Sequence, residues 1–276
     1  MPLIFGTAGI PISCKGSSSA EGVLCVKQLG LGAMELEYVH GVKVNPTAAQ
    51  EIGRIAKANG IILSCHAPYY ISLISAEHSK RKKSHAFILD TARQLHYAGG
   101  GKVVFHAGFY GKLSPEKAFE EMKGEMEFLQ GQVEKEKLNV VLAPETTGKG
   151  SQWGSLDELL RMKQEVKGLS LTIDFSHVHA RANGMLKTRA DFEKLFDLIE
   201  KADKTVLKDL HCHFQSVKYS EKGELYHMQL SANSPPFKPF VELCAERKVS
   251  GVVICESPVI EADALEMKRF YEKLLR

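Results

Sequence analysis

The chain has 276 residues, 44% of them hydrophobic and 25% charged, and a formal net charge of +3. These are globular values for one large α/β domain or two smaller ones, with length enough to bury a sizeable core. No apolar run approaches the roughly 20 residues of a membrane helix, and so mild a basic bias neither demands nor excludes a polyanionic partner.

The six cysteines, Cys14, Cys25, Cys65, Cys212, Cys244 and Cys255, form no CxxC pair. Several fall inside predicted strands, where a free thiol behaves as a small apolar residue. The expectation is a reduced, cytoplasmic protein without disulfides. Met1-Pro-Leu-Ile-Phe-Gly6 has no charged segment followed by a long apolar stretch, so no signal peptide is expected. Lys80-Arg-Lys-Lys83 is the one basic cluster and reads as a solvated helix face.

In chain order the pattern is strand then helix, repeated. Strands are predicted at Leu3–Thr7, Ala33–Val39, Ile61–His66, Lys102–His106, Val140–Glu145, Leu169–Asp174, Leu207–His213 and Gly251–Glu256. Helices are predicted near 19–29, 46–59, 78–98, 114–137, 155–166, 188–202, 235–247 and 261–275. Asn45-Pro46 and Ser114-Pro115 place a capping residue before a proline at the first helical position. Ser155-Leu-Asp-Glu158 fits a capping box, and Gly60 and Gly99-Gly-Gly101 mark helix ends. Strands separated by helices must run parallel, and near-continuous apolar runs such as Val103-Val-Phe105 and Val252-Val-Ile254 suit strands covered on both faces. Eight such units predict a single-domain α/β protein, a (β/α)8 TIM barrel spanning 1–276. A doubly wound open sheet is the alternative, without GxGxxG after the first strand to support a dinucleotide site. Two long loops are predicted, at about 178–187 and 214–234.

In such a barrel the chemistry lies at the carboxyl ends of the strands. Strand three ends in His66, strand four in His106 and strand five in Glu145. Strand six supplies Asp174 and His177, strand seven His213 and strand eight Glu256, while the loop after strand seven carries His227 and Glu224. One such residue would be structural. Eight of them, Glu224 aside, gathered at the strand ends and the loop after strand seven are hard to explain as core, because unpaired buried carboxylates and imidazoles cost several kcal/mol. Imidazole and carboxylate without thiolate suit zinc, with manganese or iron as competitors. Eight ligands are too many for one ion and fit two or three, with Glu145 as the natural bridge. Multi-ion sites of this kind catalyse in-line phosphoryl displacement.

His66-Ala-Pro-Tyr-Tyr-Ile-Ser-Leu73, Phe105-His-Ala-Gly108, Pro144-Glu-Thr-Thr-Gly148, Ile173-Asp-Phe-Ser-His-Val-His179 and Cys255-Glu-Ser-Pro258 together resemble endonuclease IV, the zinc-dependent abasic-site endonuclease, in motif order from about 3 to 275. The wider superfamily includes xylose-isomerase-like sugar isomerases and epimerases. The resemblance implies a barrel with three zinc ions that cleaves double-stranded DNA 5′ to an abasic site, leaving a 3′-hydroxyl, as base excision repair requires. Attack on phosphorus would be in line, by a hydroxide held between the ions with the help of Glu145. His66 and His106 would hold a first ion with Glu145. Glu145 would bridge to a second, held also by Asp174, His213 and Glu256, and His177 and His227 would hold a third.

His213 is preferred to His211, which shares its strand face one layer deeper; His96 and His179 are read as structural. Tyr69, Gln152 and Trp153 are the implied DNA contacts. The family's Asp two residues before the third-site histidine is Leu225 here, with Glu224 one residue earlier and able to substitute only if the loop is remodelled. The loop after strand two, Tyr38-Val-His-Gly-Val-Lys43, is short. A single-metal sugar isomerase or epimerase is the alternative activity. No protein partner or membrane is implied, and a monomer is expected.

Overall fold

The computed structural model describes residues 2–16 and 18–276. The elements are β1 (Leu3–Ala8), α1 (Ser19–Gln28), β2 (Ala33–Glu37), α2 (Pro46–Asn59), β3 (Ile62–His66), α3 (His78–Tyr97), β4 (Gly101–Phe105), α4 (Pro115–Lys135), β5 (Val140–Pro144), α5 (Leu156–Glu165), β6 (Ile173–Asp174), α6 (Phe175–Arg181) and α7 (Arg189–Asp203). Then come β7 (Leu210–His213), β8 (Ser216–Ser220), β9 (Gly223–Met228), α8 (Phe237–Glu246), β10 (Gly251–Cys255) and α9 (Glu261–Leu274). Among the described residues, an eight-stranded parallel sheet runs in the order β5-β4-β3-β2-β1-β10-β7-β6. Its two ends meet. Ser170 N donates to Leu142 O (2.9 Å), Thr172 N to Pro144 O (2.9 Å) and Thr146 N to Thr172 O (3.1 Å). Those bonds close the sheet into the expected (β/α)8 barrel.

The sequence signals act as the local physics requires. Asn45 Oδ1 accepts from Ala48 N ahead of Pro46, and Ser155 with Glu158 makes a reciprocal capping box. Gly60 ends α2 in the left-handed conformation, φ 66°. Three expectations change. The sixth strand is only Ile173–Asp174: residues 169–172 meet β5 through single hydrogen bonds and an isolated bridge of Thr172 with Glu145, and Asp174 ends the strand by capping α6, accepting from Ser176 N and His177 N. The loop predicted at 178–187 is therefore helical at its start. The loop predicted at 214–234 folds into an antiparallel hairpin, β8 on β9.

Alternation along each strand sorts the side chains. In β10, Val253 and Cys255 join the large core under the helices, whereas Val252 and Ile254 form a small cluster with Ala33 inside the barrel. In β2, Met34 and Leu36 face the helices, so Glu35 and Glu37 share the inner face with Ala33. Likewise Leu63 and Cys65 put His66 inside, and Leu210 and Cys212 put His211 and His213 inside. The outer core holds Phe175, Phe192, Phe196, Phe214 and Phe240, with ring centroids as close as 4.6 Å. Each such ring contributes about 1.5–3 kcal/mol by leaving water. Lys80, Lys82 and Lys83 are exposed on α3, as a solvated face requires. Among the described residues no helix is long and apolar enough to cross a membrane, and all six cysteines are free thiols.

Candidate metal centre

All eight residues proposed as ligands converge at the carboxyl end of the barrel. Three sets bring their potential ligand atoms within 4.8 Å of one another: His66, His106 and Glu145; Glu145, Asp174, His213 and Glu256; and Asp174, His177 and His227. Glu145 joins the first two. Its Oε2 lies 3.1 Å from His66 Nε2 and 3.0 Å from His106 Nε2. Its Oε1 lies 3.2 Å from His213 Nδ1 and 3.1 Å from His177 Nδ1. Only 1% of Glu145 is exposed.

Several rings are turned by a fixed partner. His66 Nδ1 meets Ala67 O at 2.7 Å, His177 Nδ1 meets Thr146 O at 2.9 Å and His227 Nδ1 meets Glu256 O at 3.1 Å. A carbonyl can only accept, so Nδ1 carries the proton in each and Nε2 is left for a cation or a carboxylate. Gln215 Nε2 donates to Asp174 Oδ2 (2.8 Å), while Asp174 Oδ1 caps α6 and so carries His177 into the site.

Glu224 enters through a bulge. Lys218 pairs with Tyr226, but Tyr219 pairs with Glu224, so Leu225 is an extra residue in β9. The insertion moves Glu224 to the face of His227 and leaves Leu225 57% exposed. Glu224 Oε2 then lies 3.0 Å from His177 Nε2, and Oε1 lies 3.2 Å from His227 Nε2. Gly148 makes the approach possible, since a Cβ there would sit 2.6 Å from Glu224 Oε2. Gly223, at φ 97°, lies against Gly148 O where no side chain fits.

The electrostatics are those of a crowded anion–imidazole cluster. Burial opposes the charged form of Glu145, but His106 and His213 outweigh it and hold the carboxyl well below its usual range. Burial likewise opposes protonation of His66, yet the hydrogen bond to Glu145 pushes the ring up to about 10. His227 rises to about 9 against its burial because Glu224 accepts from it. Each of these protons is one that a bound cation would displace. The donor set is imidazole and carboxylate throughout, which fits zinc-like divalent ions, and the shared Glu145 fits more than one.

Among the remaining predicted residues, Tyr69 is 52% exposed at the rim, 4.8 Å from Tyr70 between ring centroids. Gln152 is half-buried, paired with Phe109 in a bridge between two rim loops. Trp153 corrects the sequence reading: it is fully buried and cannot touch a strand of DNA. The reason is Arg181, whose guanidinium donates to Lys149 O (2.7 Å) and Gln152 O (2.8 Å), while Trp153 N donates to Gly108 O (3.0 Å). These bonds fold the loop inward at the indole. His96 accepts from Asn139 N and His179 from Leu186 N, both away from the cluster. His211 meets Glu35 Oε2 at 2.9 Å, beneath His213.

Sequence reasoning passed over Glu35 and Glu37. They complete two further sets, Glu35 with His211 and His213, and Glu35 with Glu37 and Glu256. Their signal was available: a carboxylate within a strand covered on both faces has no solvated side to turn to.

Residues 24–274 match the family described as xylose isomerase-like TIM barrel. An uncharacterized protein of Methanocaldococcus jannaschii is 38% identical over 273 residues, covering 99% of this chain and 98% of that protein. Among solved structures, endonuclease IV from Thermus thermophilus superposes with TM-score 0.73 at 19% identity, over 100% of this chain and 99% of that one. A D-tagatose 3-epimerase-like protein gives 0.69 at 16%, over 100% and 97%. A xylose isomerase domain protein from Planctomyces limnophilus gives 0.70 at 13%, over 99% and 98%. At these identities the likeness speaks for the fold. With its barrel and the ligand-type side chains gathered at one end, the chain belongs to the xylose isomerase-like TIM-barrel family.

Proposed function

We propose that this protein is a metal-dependent phosphodiesterase that cleaves double-stranded DNA 5′ to abasic sites, in the manner of endonuclease IV. The observation that carries the reading is Glu145, whose two oxygens face different imidazole sets, Oε2 towards His66 and His106 and Oε1 towards His213 and His177. A bridging carboxylate is the hallmark of a centre with more than one ion. Asp174, His177 and His227, with Glu224 in reach of both rings, would hold a third.

When bound, zinc ions (or manganese or iron) would supply neutralisation of phosphate charge and activation of water near neutral pH. The protein's own groups do the rest. Glu145 fixes the spacing of the two ligand sets, and the main-chain carbonyls of Ala67, Thr146 and Glu256 fix the rings that face them. Tyr69 and Tyr70, both more than half exposed beside His66 in the chain, offer faces on which bases of a gapped strand can stack.

The second reading, a sugar isomerase or epimerase, draws on one observation: Glu145, Asp174, His213 and Glu256 alone make a four-ligand site for a single ion. It leaves His66 and His106 without a purpose. Incubating metal-loaded protein with a duplex carrying one abasic site separates the two. Cleavage leaving a 3′-hydroxyl, with close to three ions per chain, supports the nuclease. No cleavage by protein holding a single ion, with interconversion of ketose epimers, overturns it.

A further inference from the structure

His213 differs from its neighbours. His66, His177 and His227 direct Nδ1 to a main-chain carbonyl, His177 also lying 3.1 Å from Glu145 Oε1 there, whereas His213 Nδ1 meets carboxylates of the four-ligand set without a carbonyl, 3.2 Å from Glu145 Oε1 and 3.4 Å from Glu256 Oε2. Its Nε2 therefore needs an acceptor, and Glu35 Oε1 stands there at 2.8 Å. The contact is short but too oblique for a hydrogen bond as it stands, and both buried atoms are left without a hydrogen-bond partner. Both side chains are fully buried. Glu35 reaches His213 from the other side of the barrel interior, out of β2, with β1 and β10 between that strand and β7. Its Oε2 is anchored by Ser64 Oγ (2.6 Å) and His211 Nε2 (2.9 Å).

We infer that Glu35 is a positioning residue: it accepts the Nε2 proton of His213 and so presents Nδ1 to the cation shared with Glu145, Asp174 and Glu256. The inference rests on the metal centre proposed above. Glu35, His211 and His213 lie close enough to suggest a cation site of their own. Lone-pair counting opposes that. A neutral imidazole has one lone pair, and once Nδ1 gives it to the four-ligand set, Nε2 bears hydrogen and cannot ligate. A carboxylate behind a metal-bound histidine fixes its tautomer and raises its basicity, and losing such a partner costs about 10- to 100-fold in metal affinity.

The test uses the full chain and zinc alone. Zinc affinity and stoichiometry are measured by competition with a chromophoric chelator for the parent and for Glu35→Gln, which keeps the volume and removes the charge. The expected result is affinity about 10- to 100-fold weaker with the same number of ions at saturation. Unchanged affinity overturns the inference, and so does the loss of one whole ion, which would make Glu35 a ligand. Should Glu35→Gln not fold, long-range proton–nitrogen NMR on histidine-labelled, zinc-loaded parent decides. Hydrogen on Nε2 of His213 upholds the role, and hydrogen on Nδ1 overturns it. A parent that binds no divalent ion would remove the metal centre and this inference together. A parent that binds tightly beside an unaltered Glu35→Gln would remove only the inference.

Discussion

Glu145→Gln tests the centre most directly, because it keeps the shape and deletes the one charge that four imidazoles face at 3.0–3.2 Å. Two consequences separate. In chelator, the buried ion pairs of Glu145 are broken at one partner, which costs about 3–5 kcal/mol when the other partner stays buried. At roughly 2 °C of Tm per kcal/mol for a chain of this size, the metal-free protein should melt about 6–10 °C lower. With metal, each of the two ions proposed to share Glu145 would lose a ligand. Forfeiting several kcal/mol of charge stabilisation at 1.36 kcal/mol per decade lowers cleavage of an abasic duplex about 1,000-fold or more. Calorimetry in chelator, zinc counting and single-turnover cleavage read these separately. A variant that melts like the parent, keeps the full ion complement and cleaves normally would refute the bridging role.

Glu224→Ala should lower the number of bound ions by one and leave the first two sites loaded; elemental analysis showing the parent's complement would show that the bulge in β9 serves only the hairpin. For pH, His66 at about 10 and His227 at about 9 lie above an ordinary imidazole, so the stability they lend is complete below about pH 6.5 and disappears as pH climbs through 9–10. Metal-free protein should accordingly melt at falling temperature from about pH 7 to pH 10, by up to about 1.4 kcal/mol per pH unit for each ring; a flat or rising profile in calorimetry contradicts the assignment. Tyr69→Ala should weaken abasic-duplex binding by about 1–3 kcal/mol without changing zinc content, whereas Trp153→Ala should cost about 3–5 kcal/mol of stability because that indole is wholly buried. Fluorescence anisotropy and denaturant titration distinguish them, and equal binding by the Tyr69 variant would return that ring to a packing role.

Much of this molecule was legible as a string. Helix starts at Asn45-Pro46 and Ser155 through Glu158 are local chemistry, and a capping side chain needs only its own next turn. Ligand-type residues at strand ends could be placed at one rim because parallel strands in a barrel all point the same way. Strand limits were less legible: the sixth strand ends where expected, at Asp174, which caps α6, but it starts only at Ile173, because residues 169–172 meet β5 through single bonds and one isolated bridge instead of a ladder.

By itself the sequence determined the periodicity, hence the eight repeating units, the barrel and the end at which chemistry gathers. Tertiary structure alone decided which groups meet. Glu145 lies 79 residues from His66 and 68 from His213, and no local pattern says that its two oxygens face them separately. One extra residue in a hairpin put Glu224, not Leu225, beside His227, and Arg181 pulled Trp153 out of reach of any ligand. Glu35 finds His211 across 176 residues of chain. Periodicity is a property of neighbours along the backbone, whereas hydrogen-bond and ligand partners are fixed by the closure and register of the whole sheet.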